Sequence, residues 1–198
     1  MKYVNQKKYP DWLYTTRQSY EGEEKKKGLT TTISSSGCGL CTAVMIADRL
    51  LPNCDFGLED AVRISYACGA NLMKGVTYKI FAPVFAQECG LDYEMTNDPD
   101  RLRYCLRTGG AAAIHAKGNN GDYIGVLSKT GHMLAAISEE RDGRIAILDP
   151  SYTDGKFDIE GRKGKVEVKY GVISLCNMDV IVEDTKPADP SFYLFWRK

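Results

Sequence analysis

The sequence predicts an α+β fold in which N-terminal helices pack on a C-terminal antiparallel sheet. Apolar residues recur at helical spacing over residues 37–110, whereas short apolar runs separated by turn residues occupy residues 111–198. Hydrophobic residues make up 43% of the 198 residues, an ordinary globular balance. Because a chain of this length can bury a core without disulfides, we predict a single domain over residues 1–198.

Helices are predicted in the first part of the chain, after an irregular start. Residues 1–36 lack periodicity and are predicted to form an N-terminal arm and loop. From Gly37 onwards apolar residues recur every three to four positions, which indicates a helical half over residues 37–110. Pro52 and Gly90 mark the ends of two of its helices. We predict helices over residues 38–51, 58–68 and 76–88, and from a cap at 97 or 98 to 109.

The sheet half, residues 111–198, contains shorter apolar runs bounded by turn residues. Strands are predicted over residues 111–115, 132–137, 145–148, 166–170, 171–174 and 192–196. The second and third of these strands should form a hairpin around residues 139–143. Because the helices precede the strands along the chain, we expect the helices to pack against one side of an antiparallel sheet.

Charge and cysteine usage argue against several classes of protein. Lys+Arg and Asp+Glu number 26 each, so no net field favours nucleic acid or an acidic membrane surface. No apolar stretch approaches the roughly 18 residues that span a bilayer, and the N-terminus lacks the apolar core of a signal peptide, so we expect a cytoplasmic location. Seven cysteines, an odd number, argue against a secreted disulfide framework. Without a second Cys-x-x-Cys pair we expect no metal, and no organic cofactor is indicated.

A cysteine between two glycines is the sharpest local feature. Cys38 lies between Gly37 and Gly39 at the start of the first predicted helix. A helix N-terminus presents unpaired N–H groups and the positive end of the helix dipole, both of which favour a thiolate, the nucleophilic form of cysteine. The same N–H groups could hold the oxyanion of an acyl-transfer intermediate. The alternative is a buried cysteine at a helix cap.

A cysteine nucleophile needs a base and a group that orients the base, and only two histidines are present. His115 lies among apolar residues and is interpreted as a core histidine. His132 starts a predicted strand whose hairpin partner ends at Asp149, so the hairpin should bring this carboxylate beside the imidazole. A structural histidine at position 132 and a turn aspartate at position 149 remain alternatives, since Asp-Pro sequences favour turns.

Taken together, these motifs resemble the bacteriocin-processing-peptidase-like (double-glycine leader peptidase-like) group of papain-superfamily cysteine peptidases. The matching pieces, in chain order, are Asn5-Gln6, Trp12, Gly37-Cys38-Gly39, Met45, Gly131-His132 and Asp149-Pro150. The resemblance implies a papain-like fold that hydrolyses a peptide or amide substrate through a thioester acyl-enzyme. It further implies that Cys38 attacks the carbonyl, His132 transfers the proton and Asp149 orients the histidine.

The resemblance also assigns an oxyanion-hole glutamine and leaves alternatives open. That glutamine would fall on Gln6, with Gln18 as the second candidate. Where relatives carry Pro-Thr after Cys-Gly, this chain has Leu40-Cys41, which admits a dithiol oxidoreductase using Cys38 and Cys41. The polar, Thr- and Ser-rich residues before that pair are unlike the buried strand that precedes a thioredoxin-type motif. A catalytically inactive papain-like binding module is a further alternative, and an acyl transferase would use the same thioester.

Overall fold

The structure, a computed structural model, describes residues 1–16, 29–72 and 75–198. Its elements, in chain order, are a 3₁₀-helix (Gln6–Lys8), β1 (Leu13–Thr16), β2 (Leu29–Thr32), α1 (Ile33–Ser36), α2 (Cys38–Leu50), α3 (Leu58–Ala67), α4 (Tyr78–Glu88), β3 (Leu91–Thr96), α5 (Pro99–Arg107), β4 (Ala111–Ala116), β5 (His132–Glu139), β6 (Ile145–Leu148), β7 (Val166–Lys169), β8 (Ile173–Cys176), α6 (Met178–Thr185) and β9 (Phe192–Arg197). The four helices and six strands predicted from the sequence are all present, with ends that differ by a few residues. No helix among the described residues is long and apolar enough to cross a membrane.

A seven-stranded antiparallel sheet forms the centre of the fold, with strand order β3-β9-β4-β5-β6-β8-β7. The predicted hairpin is confirmed, because β5 pairs with β6 and Ala135 lies opposite Leu148. This register places the first residues of β5 beside the segment that follows β6. Strands β1 and β2 form a separate two-stranded sheet in the N-terminal arm.

Helices cover both faces of the large sheet, so the expectation that they lie on one side is wrong. Alternate strand residues point to opposite faces. Ala113 and Ala135 belong to the core beneath α2, α3 and α4, whereas their neighbours Ile114 and Leu134 pack with α5 and α6. The sequence carries a sign of this burial, since Ala111–Ala116 is apolar at all positions except His115.

Some elements lie outside the predicted pattern. Strand β3 falls in the helical half, where it pairs with β9 at one edge of the sheet. It is mostly exposed or half-buried, so its apolar pattern is weak. Helix α6 has only eight residues and lies within the sheet half. These additions leave the predicted α+β class intact.

Helix α2 is the central helix of the fold. Ten of its 13 residues are buried, among them Leu40, Val44 and Met45, which have no exposed surface. The helix packs against β5 and β4 of the sheet. Buried residues occur on almost every side of the helix, as expected for a helix inside a core. This packing fixes its first residue, Cys38, against the sheet.

Candidate active site

The candidate nucleophile begins a helix, as predicted. Helix α1 ends at Ser36, and Gly37 links it to Cys38, the first residue of α2. The Gly37 N–H donates to the Ile33 carbonyl at 2.8 Å. A Cβ at position 37 would lie 2.6 Å from that same oxygen, so the tight junction between the two helices requires glycine.

The structure places the side chains of Cys38 and His132 beside each other in the wall of one cleft, close enough for each to shift the pKa of the other. Burial raises the pKa of the Cys38 thiol. The neighbouring imidazole of His132 and its charge, with the N–H groups of Met133 and Gly39, lower it by more, so the net pKa is lowered. Burial lowers the pKa of His132, whereas Asp149 and Cys38 raise it, to about 9 overall. The lowered pKa of Cys38 and the raised pKa of His132 both favour a thiolate–imidazolium pair at neutral pH.

The third predicted residue, Asp149, directly follows β6 and is fully buried. Its Oδ1 lies 2.8 Å from His132 Nε2, which leaves the other ring nitrogen, Nδ1, for Cys38. Asp149 Oδ1 also accepts a hydrogen bond from the Ser151 N–H at 2.8 Å, so the aspartate shapes the turn as well. Burial raises the Asp149 pKa, but His132 and Lys156 lower it more, which leaves it below its usual value.

The predicted oxyanion residue, Gln6, is buried between the two parts of the site. Its backbone N–H donates to the Pro150 carbonyl at 2.7 Å, and its Nε2 donates to the Ser34 carbonyl at 2.8 Å. These bonds tie Gln6 both to the segment that carries Asp149 and to α1, just before Cys38. A side-chain amide has two N–H protons, so Nε2 retains one further donor. The second candidate, Gln18, lies outside the described residues.

Cys41 lies one turn along α2 from Cys38 and is fully buried. Burial, followed by the charge of Cys38, raises its pKa to about 12. A short helix, α1, leads into the Cys38-Gly39-Leu40-Cys41 segment, and all seven strands of the large sheet pair antiparallel. The strand and parallel βαβ unit of a thioredoxin-type site are therefore not formed by the described residues.

A cleft of about 400 Å³ opens beside the cysteine–histidine pair. It is lined by Cys38, Leu72, Gly75, Val76, Thr77, Tyr78, Lys79, His115, Lys117, Gly131, His132, Met133, Asp189 and Tyr193. His115, predicted as a core histidine, is half-buried in this wall, where burial and the charge of Lys117 lower its pKa to about 4. No cluster of His, Cys, Asp or Glu suited to a metal ion occurs among the residues that the structure describes.

Two polar residues of the site could not be predicted from the sequence. Ser151 Oγ lies 3.1 Å from His132 Nε2 and 3.0 Å from Asp149 Oδ1. The Lys156 amino group contacts the other oxygen of Asp149. Both residues belong to an irregular segment between β6 and β7, where no periodicity shows which side chains point inward.

Comparison with solved structures supports the fold. The chain is similar to the crystal structure of a candidate C39-like peptidase from Bacillus anthracis, with a TM-score of 0.50 and 9% sequence identity. The match covers 82% of this chain and 88% of the other. No protein-family model and no curated protein sequence matches the chain. The likeness shows a C39-like fold, and the predicted papain-like α+β architecture is confirmed.

Proposed function

We propose that this protein is a cysteine hydrolase that cleaves peptide or amide bonds through a thioester acyl-enzyme. In this proposal Cys38 is the nucleophile, His132 the general base and acid, and Asp149 the residue that orients His132. The observation that carries it is that Cys38 and His132 line the same cleft side by side, with His132 hydrogen-bonded at 2.8 Å to the buried Asp149 carboxylate. A nucleophile, its base and an orienting group in this order form the basis of covalent acyl-transfer catalysis.

The first half-reaction forms the acyl-enzyme. The Cys38 thiolate attacks the substrate carbonyl carbon, and the carbonyl electron pair moves to oxygen to give a tetrahedral oxyanion. The N–H groups of the first turn of α2 and the spare N–H of Gln6 Nε2 are the donors we assign to that oxygen. As the carbon–nitrogen bond breaks, His132 transfers its proton to the leaving amine. A thioester on Cys38 and a neutral imidazole remain.

The second half-reaction restores the enzyme. Neutral His132 accepts a proton from water, and the resulting hydroxide attacks the thioester carbon. The carbon–sulfur bond then breaks, which releases the acid and regenerates the thiolate beside the imidazolium. Asp149 keeps its hydrogen bond to Nε2 throughout, so Nδ1 faces the reacting atoms in both halves.

A peptide is the substrate class that the cleft supports best. Its wall combines aromatic side chains, Tyr78 and Tyr193, with the glycines Gly75 and Gly131, beside which a substrate backbone can lie close. The structural neighbour from Bacillus anthracis is described as a candidate peptidase, which agrees with this choice.

The test is turnover of a library of short peptides, followed by mass spectrometry of products and of the intact protein. The wild type should release cleaved peptides and carry a transient acyl adduct on Cys38. Cys38→Ala should fold normally and lose several orders of magnitude in rate, whereas Cys54→Ala, which alters an exposed cysteine, should retain activity.

Turnover retained by Cys38→Ala would reject Cys38 as the nucleophile, and a wild type that neither cleaves peptides nor becomes acylated would favour a binding module. Transfer of the acyl group to an added amine in preference to water would indicate a transferase.

A further inference from the structure

The carboxylate of Asp149 has a different partner on each oxygen. Oδ1 faces His132 Nε2 at 2.8 Å, while Oδ2 contacts the amino group of Lys156. The Asp149 side chain is fully buried and the Lys156 side chain is 12% exposed, so water screens this pair weakly. Lys156 therefore lies on the side of the aspartate that is opposite the histidine.

Ser151 joins these groups into one network. Its hydroxyl lies 3.1 Å from His132 Nε2 and 3.0 Å from Asp149 Oδ1. The Lys156 amino group donates to the same hydroxyl at 3.1 Å. Two independent contacts thus hold Lys156 in place, one to the carboxylate and one to the serine. Turning the Asp149 carboxylate would break its contacts with both Lys156 and Ser151, so these two residues restrict its rotation.

A lysine in this position also changes how the aspartate acts on the histidine. A buried carboxylate stabilises a neighbouring imidazolium, and a second cation on the carboxylate opposes that effect. In the present site the opposing cation lies on the far oxygen, so it offsets the charge of Asp149 without competing for Nε2. The arrangement keeps the orienting hydrogen bond while it weakens the attraction for the proton.

We propose that Lys156 is a positioning residue that aims Asp149 at His132 and sets the upper pH limit of the cysteine–histidine pair. The inference rests on the proposed function, because that pH limit matters only if the pair is catalytic. Without Lys156, the full charge of Asp149 would act on His132, so the imidazolium would hold its proton to higher pH, while the two Ser151 contacts to Oδ1 remain. This effect acts on His132 through Asp149 and does not require Lys156 to touch the substrate.

Other titratable groups surround the His132–Asp149 pair. Cys38 of α2 interacts with His132, whereas Lys156 after β6, Tyr3 of the N-terminal arm and Arg162 between β6 and β7 interact with Asp149. The Tyr3 hydroxyl donates to the backbone carbonyl of Asp149 at 2.7 Å, so it does not bind the carboxylate. Arg162 is buried and its charge interacts with Asp149. Besides His132, Lys156 is the cation in direct contact with this carboxylate among the described residues.

The experiment follows the titration of His132 itself, by NMR of its ring C–H signals. It is made in a Cys38→Ala background, because removal of the thiol lets the imidazole titrate without a coupled partner. Lys156→Met should raise the midpoint of the His132 titration by about one pH unit, because one positive charge near the imidazole is lost. Lys156→Arg should keep the midpoint, as should Lys163→Met, which removes an exposed lysine of the same segment.

Kinetics of the variants with an intact Cys38 give a second readout. The upper limb of the kcat/KM profile should move to higher pH in Lys156→Met and stay in place in Lys156→Arg. If Lys156→Met does not fold, Lys156→Gln, which keeps a hydrogen-bond donor without the charge, decides the question. An unchanged His132 midpoint in a folded, uncharged variant would overturn the proposal. The NMR titration stays informative even if no substrate is cleaved, so failure of the hydrolase proposal is distinguishable from failure of this one.

Discussion

Replacement of Asp149 by alanine tests the buried network through stability. The substitution removes the acceptor that faces His132, the Ser151 N–H and Lys156. It leaves a 7% exposed histidine and a 12% exposed lysine without their shared anion. Removal of one partner from a buried ion pair costs about 3–5 kcal/mol. At about 2–4 °C per kcal/mol for a chain of this size, the melting temperature should fall by about 6–20 °C.

The pH dependence of this loss has a definite sign. The pKa of Asp149 is lowered from 3.8 on folding, so its contribution is present above about pH 4 and is lost as the pH falls. The pKa of His132 is raised from 6.5 to about 9, so its contribution is complete below pH 6.5 and is lost as the pH rises through 9. The stability difference between wild type and Asp149→Ala should therefore be largest between about pH 4 and 6.5.

The assay is urea unfolding of both proteins at pH 3, 5.5, 7.5 and 9.5, monitored by circular dichroism. Asp142→Ala is the control, since this exposed carboxylate pairs with Arg144 at the surface and its removal should have a much smaller effect. A loss below about 1 kcal/mol for Asp149→Ala at pH 5.5, or a loss independent of pH, would refute the argument from the buried ion pair.

Two further predictions concern the neighbours of Cys38. Gln6→Ala should lower kcat by about 10²–10³ with little change in KM, as expected for an oxyanion donor; steady-state kinetics would count against that role if only KM changed. Cys41→Ser should leave both hydrolysis and Cys38 reactivity nearly unchanged, because Cys41 is fully buried and its pKa is raised to about 12. Loss of activity in Cys41→Ser, together with a thiol–disulfide exchange activity in the wild type, would instead favour the dithiol alternative.

The proximity of His132 and Asp149 was predictable from the sequence because it depends on a local hairpin. Strands β5 and β6 are continuous apolar runs, and their antiparallel pairing alone brings the start of one beside the end of the other. The start of α2 at Cys38 was predictable for a similar reason, since flanking glycines and a long apolar run mark it. The contact between that helix and the hairpin required the resemblance to a known family.

Other features depend on packing that the linear pattern does not encode. Lys156 reaches Asp149 from an irregular segment, and its inward direction is set by tertiary contacts with the carboxylate and Ser151. The packing of α5 and α6 on the second face of the sheet was not predicted, although the continuous apolar run of β4 is typical of a strand buried on both faces. The position of Gln6 depends on hydrogen bonds to Ser34 and Pro150, which are distant in sequence.

The most direct test of the central claim is alkylation of the native protein with limiting iodoacetamide across a pH series, mapped by peptide mass spectrometry. In the wild type, Cys38 should react before the other six cysteines, with an apparent pKa below that of a free thiol. In His132→Ala that apparent pKa should rise, because the imidazole and its charge, which stabilise the thiolate, are lost. If Cys38 is no more reactive than the exposed Cys54, or if its pKa is unaffected by removal of His132, the proposed cysteine–histidine pair is contradicted.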